Sequence, residues 1–157
     1  MGNIQIITYD DSLAKEFERL NRAWIERYFV MEAADLEIFR SPRESIIGPG
    51  GQIFFAQIEG VTVGACAAQK LLATEWELAK LGVDDTYQRQ GIGRLLCKSV
   101  IDFCWDHGAS RIIIETNSAL KPALSLYYNL GFSQFIPAVK SPFARADLFL
   151  ELRAMRR

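Results

Sequence analysis

Between Leu78 and Leu96 the chain reads LAKLGVDDTYQRQGIGRLL, and this passage restricts the possible folds more than any other. An apolar stretch at about Glu75–Asp84 predicts a strand. A polar loop, Thr86–Gly93, follows, and Gly91-Ile92-Gly93 opens a helix over about Gly91–His107. In that helix Ile92, Leu95, Leu96, Val100, Phe103 and Cys104 recur at i, i+3, i+4 spacing. A helix start carries unpaired N–H groups and the positive end of the helix dipole, and glycines there let a phosphate come close to the backbone. The loop is therefore an anion site in principle, with Arg89 and Arg94 able to add charge or simply to face solvent.

The common phosphate-binding patterns do not fit it. A mononucleotide loop needs Gly-Lys-Ser/Thr, but Gly93 is followed by Arg94-Leu95. A dinucleotide fingerprint needs a third glycine where Leu96 stands. The preceding strand also changes phase, with Trp76 and Leu78 on even positions and Leu81 and Val83 on odd ones. A β-bulge, eased by Gly82, produces such a shift and leaves backbone groups unpaired for an extended ligand. A strand buried on both faces accounts for the same pattern.

Around this passage the chain alternates between the two periodicities. Ile4–Tyr9 predicts a strand, and Asp11 or Ser12 a cap for the helix bearing Leu13, Phe17, Leu20, Trp24, Ile25 and Tyr28 on one face. Ala33–Phe39 predicts a second helix, ended or followed by another turn at Ser41-Pro42. Gln52–Ile58 and Val61–Leu71 read as strands joined by a tight Glu59-Gly60 turn. Arg111–Thr116 is a strand, Ala119–Leu130 a helix, and Phe132–Ile136 and Arg145–Arg153 the last strands. The order β-α-α-β-β-β-α-β-α-β-β predicts one α/β (α+β) domain over 1–157. It would be built on a mixed, mostly antiparallel sheet of six to seven strands with helices on both faces.

Composition narrows the function. The 157 residues carry a net charge of −1, which gives no basic excess for nucleic-acid binding. No apolar run approaches 18 residues, so no membrane span is expected. The three cysteines, Cys66, Cys97 and Cys104, form no C-x-x-C pair and lie in apolar runs, as core residues of a reducing compartment do. The N-terminal stretch lacks the charged and apolar regions of a signal peptide, and a cytoplasmic location is expected. No His/Cys/carboxylate cluster has metal-ligand spacing, and no Ser or Cys lies in a nucleophile motif.

Gln88-Arg89-Gln90-Gly91-Ile92-Gly93 resembles the Q/R-x-x-G-x-G/A pyrophosphate signature of the GNAT superfamily of N-acetyltransferases. Glu77–Val83 resembles the family strand before it, and Leu124–Phe132 resembles the late family helix that ends L-Y-x-x-x-G-F. The resemblance is most specific over Glu75–Phe132. It implies acetyl-CoA as donor, in a cleft where two central strands splay. Main-chain groups of Leu81 and Val83, flanking Gly82, would pair with the pantetheine arm. The amides of Gln88, Arg89, Gln90, Gly91, Ile92, Gly93 and Arg94 would bind the pyrophosphate.

The same resemblance assigns Tyr127 to protonation of the leaving thiolate. A core aromatic is the plainer reading of that residue, and Tyr128 points about 100° away. Glu77 is implied as the base that takes a proton from a primary amine acceptor, with Glu75 as its rival and a salt-bridged carboxylate as the alternative. Asn117 either touches the cofactor or caps the next helix. His107 ends a helix and takes no catalytic role. Glu32, Asp35 and Glu37 read as a solvated helix face, or as a field steering a cationic acceptor. A non-catalytic acyl-CoA-binding module is the other function class, and pairing of the apolar last strand into a homodimer stays open beside a closed monomer.

Overall fold

The computed structural model describes residues 2–155; Met1 and 156–157, the ends of the expected 1–157 domain, lie outside the described residues. The helical and strand periodicities settle into β1 (Ile4–Thr8), α1 (Ala14–Tyr28), α2 (Ala33–Arg40), β2 (Gln52–Ile58), β3 (Val61–Lys70) and β4 (Glu75–Val83). They continue with α3 (Ile92–Asp106), β5 (Arg111–Thr116), α4 (Lys121–Asn129), β6 (Ser133–Gln134) and β7 (Leu148–Arg153). This is the predicted element order. The strands form one sheet in the order β1-β2-β3-β4-β5-β7-β6, in which only the β4–β5 pair is parallel.

Each face of the sheet buries one apolar cluster. On one side the stripe Ile92, Leu96, Val100 and Cys104 of α3, with Leu124 and Tyr127 of α4, covers Trp76, Leu78, Ile112 and Ile114. On the other, Phe17, Leu20 and Ile25 of α1 and Phe39 of α2 pack on Ile53, Phe55, Ala65 and Ala67. All three cysteines are buried thiols. The Glu59-Gly60 turn holds both residues at positive φ, 51° and 79°, the geometry that matches the twist of a two-residue hairpin.

Several local expectations are corrected. The N-terminal cap is Asp10, whose carboxylate accepts from the Ser12 amide at 3.2 Å, and a 3₁₀ turn over Asp11–Leu13 leads into α1. Tyr28 is half exposed, because α1 ends over the mouth of a cleft and not over the sheet. The predicted strand Phe132–Ile136 shrinks to Ser133–Gln134, and the last strand begins at Leu148, not Arg145, because the segment before it crosses to meet α2.

The phase change in β4 is a bulge. Ala65 pairs with Gly82 and Ala67 with Ala79, so Lys80 and Leu81 together oppose Cys66. Lys80 takes the left-handed conformation, φ 56°, that the irregularity requires. After the bulge Leu81 and Val83 pack on the same cluster as Trp76 and Leu78, which resolves the odd–even conflict.

Gly82 serves a different purpose from the one expected. Its φ is not positive, and a Cβ there would stand 2.7 Å from the Leu20 carbonyl oxygen of α1. The glycine admits the helix backbone against the strand. Gly82→Ala is expected to push α1 off β4 and cost about 1–3 kcal/mol, read as a lower melting temperature.

Candidate active site

The β4–β5 pairing lasts for three positions, Glu75–Arg111, Trp76–Ile112 and Glu77–Ile113, and then stops. Beyond Glu77 the strands no longer pair, and a cavity of about 770 Å³ opens between them. Its wall runs from the start of α3, along Leu81, Gly82 and Val83, past Tyr127, to Glu77 and the inner ends of α1 and α2.

At one end lies the loop into α3. Gly91 caps the helix at φ 81°, and the first helical bond is donated by Leu95 to the Gly91 carbonyl at 3.1 Å. The amides of Ile92, Gly93 and Arg94 therefore have no intrahelical acceptor. No acidic side chain occupies the first turn, and Arg89 and Arg94 line the cavity beside it. The end is electropositive and carries free donors, as an anion site requires. Gln88, Arg89, Gly91, Ile92, Gly93 and Arg94 all line it. Gln90 does not; its side-chain Oε1 is buried without a hydrogen-bond partner.

Tyr127 is buried between α4 and α3 and reaches the cavity wall. Burial, reinforced by the neighbouring Cys97 and Cys66, raises its pKa well above the ordinary phenol value, so it is protonated at neutral pH. Tyr128 is exposed and its hydroxyl accepts from Gln134 Nε2 at 2.8 Å. Asn117 also lines the cavity, but both ends of its amide serve the chain: Nδ2 donates to the Arg145 carbonyl at 2.7 Å and Oδ1 accepts from the Ala119 amide at 2.8 Å. Leu120, not Asn117, occupies the N-cap of α4.

Glu77 stands at the fork of the two strands. Burial and then the carboxylate of Glu115 push its pKa up to about 8, and Lys80 opposes the rise. Glu75, its rival, is tied to Arg111 at 3.2 Å.

The expectation of a solvated face at Glu32 and Asp35 is overturned. Asp35 is fully buried. It accepts from Lys80 Nζ at 2.6 Å and from both terminal nitrogens of Arg145 at 2.6 and 2.7 Å, while Glu32 accepts from Arg145 at 3.4 Å. Glu37 alone behaves as predicted, pairing with Arg40 at the surface. Burial would raise the Asp35 pKa, but the Arg145 and Lys80 hydrogen bonds win and hold it at about 2. Phe143 lies under both cations, 4.3 Å from Lys80 and 4.7 Å from Arg145.

Lys80, Arg145 and Glu115 are among the cavity residues that the sequence reading missed. The available signals were a lysine inside an apolar strand and a glutamate on the alternating face of RIIIET. Among the described residues no cluster of His, Cys, Asp and Glu could hold a metal ion, and no helix is long and apolar enough to cross a membrane.

An open, mostly antiparallel sheet forked at one parallel pair defines a class that solved acetyltransferases share. An acetyltransferase of the GNAT family from Staphylococcus aureus Mu50 superposes with a TM-score of 0.87 at 22% identity, over 96% of this chain and 99% of that one. The yncA protein of Salmonella typhimurium, solved with its cofactor acetyl-CoA, gives 0.73 at 18% identity over 99% and 96%. In sequence, the ribosomal protein bS18-alanine N-acetyltransferase of Escherichia coli (strain K12) is 33% identical over 72 residues, 46% of this chain and 49% of that protein. The chain spans about half the length of the curated relatives it matches. A model of the acetyltransferase (GNAT) family matches residues 15–132, and the chain belongs to that family.

The depressed pKa of Asp35 makes the ion cluster a source of stability above the ordinary aspartate value of 3.8, lost as pH falls toward about 2. Asp35→Ala leaves two cations buried without a counter-charge. It is expected to cost about 3–5 kcal/mol, measured by denaturant unfolding at neutral pH.

Proposed function

We propose that the protein transfers an acetyl group from acetyl-CoA directly to a primary amine. The observation that carries this reading is the continuity of one cavity. Free amides at the α3 start, the unpaired edge of β4, the Tyr127 phenol and the Glu77 carboxyl share a single wall. Family membership and the acetyl-CoA-bound structural neighbour support the donor.

In this reading the helix start holds the pyrophosphate and the edge at Leu81–Val83 pairs with the pantetheine arm. An amide on that edge polarises the thioester carbonyl. Asn117 lines the same cavity, with one N–H donated to the Arg145 carbonyl and its Oδ1 accepting from Ala119, and its second N–H is left for the cofactor. Glu77 accepts the proton that the acceptor ammonium must lose before its nitrogen can attack. The new C–N bond forms as the C–S bond breaks, and Tyr127 supplies the proton that turns the departing thiolate into free CoA. Glu77 passes the first proton to solvent and then takes the nitrogen's second, a solvent proton restores Tyr127, and the net reaction releases one proton.

Tyr127→Phe is expected to lower turnover on the order of 10²–10⁴ while acetyl-CoA affinity holds, measured by acceptor-dependent thiol release beside calorimetry. Full turnover in that variant removes the tyrosine from the mechanism.

Glu77 must be ionised to act, so kcat/KM should rise with pH through about 8. In Glu77→Gln that limb should vanish. Because the folded-state pKa is raised above the ordinary 4.5, the folded protein loses stability as pH climbs from there to about 8. The same variant should therefore melt higher than the parent at pH above 8 while turning over more slowly.

A further inference from the structure

Four charged side chains reach the cavity wall near the fork, on the face covered by α1 and α2: Glu77, Lys80, Glu115 and Arg145. The two cations are not available to a ligand. Lys80 and Arg145 both bind Asp35, Arg145 also meets Glu32, and their side chains are only 6% and 11% exposed. The two carboxylates differ in this respect. Among the described residues neither Glu77 nor Glu115 has an ion-pair or hydrogen-bond partner within the chain, and both stay open to the cavity.

Register sets them on one face of neighbouring strands. Glu77 is the last residue of β4 paired with β5, opposite Ile113. Glu115 lies two residues further along β5, on the same face and about 6–7 Å along the strand. The uncharged Gln69 is the cross-strand neighbour of Glu77 on β3. From the other packed elements, α2 contributes Asp35 and Glu32, and the segment before β7 contributes Arg145; all three are engaged in the buried cluster. Arg27 of α1 is held by Asp85 at 2.9 Å. Among the described residues an incoming acceptor thus meets two unpaired carboxyl groups with no free cation beside them.

We propose that Glu77 and Glu115 form one ammonium subsite and that the acceptor is an amine with no carboxylate next to the reacting nitrogen, such as a peptide or amide-flanked amine or a polyamine, and not a free amino acid. This rests on the acetyl-transfer reading above. Glu115 holds the ammonium by charge while Glu77 takes its proton, so Glu115 is the specificity-determining member. A carboxylate beside the nitrogen is driven against the pair, and the site rejects it by repulsion as much as it selects the amine by attraction.

Thiol release from acetyl-CoA at pH 8 tests this with matched pairs: alaninamide and alanine, and glycinamide and glycine. Rates are expressed per free-base amine, which removes the difference in amine acidity within a pair. The member without the carboxylate should have a kcat/KM about tenfold higher or more. Glu115→Gln should shrink that ratio toward one and raise the amine KM while the acetyl-CoA KM holds, a change in selectivity that a merely structural residue would not cause. Equal rates within the pairs, preference for the acids, or a ratio untouched by Glu115→Gln overturns the inference. If no pair reacts, the same compounds are titrated into CoA-loaded protein, where the carboxylate-free members should bind more tightly and equal or absent binding overturns it. Calorimetry with acetyl-CoA separates the two levels: failure to bind acetyl-CoA sinks the acetyl-transfer reading, whereas binding without discrimination among amines sinks only the subsite.

Discussion

Three residue pairs hold β4 to β5 before the strands part, and the site follows from that interruption. A sheet whose central pair stopped nowhere would be closed by backbone hydrogen bonds and would leave no main-chain groups for a ligand. The bulge at Lys80 and Leu81 lies just past the last pair, on the opposite edge of β4, and bends the strand at the point of parting. It also turns Leu81 and Val83 back toward α3 and Lys80 toward α2, so one irregularity shapes both the cofactor side and the acceptor side.

The cluster of Asp35, Lys80 and Arg145 sits directly behind the bulge. It joins α2, β4 and the segment before β7, elements far apart in sequence, through hydrogen bonds of 2.6–2.7 Å. Buried ions repay their desolvation only when the geometry is good and every polar atom is used. Here one carboxylate takes bonds from both cations, and aromatic rings back them. By neutralising Lys80 and Arg145 the cluster leaves Glu77 and Glu115 as the unpaired ionisable groups next to it, near the fork.

The raised pKa of Glu77 belongs to the same economy of placement. A carboxyl whose pKa is raised to about 8 by burial and a like charge loses stability as pH rises toward that value and, once ionised, is basic enough to take a proton from an ammonium. Tyr127 is raised by burial next to Cys97 and Cys66, so the two groups on either side of the fork both titrate above their ordinary values. Burial is the first cause of both shifts, and an acidic neighbour adds to each.

Local pattern alone determined the element order, the Glu59-Gly60 turn, the helix start at Gly91 and the phase slip in β4. Each depends on residues within a turn or a strand of one another, where 3.6-fold and two-fold spacing or a positive φ leaves a mark on the chain. The tertiary structure decided what those marks serve. Gly82 looked like relief for the bulge and proved to be clearance for the Leu20 carbonyl. Asp35 looked solvated because its partners lie 45 and 110 residues away. Glu115 acquired meaning only once parallel register put it on the same face as Glu77, two residues past the last pair. Charge pairing and close approach are set by distance in space, and a single sequence records distance only along the chain.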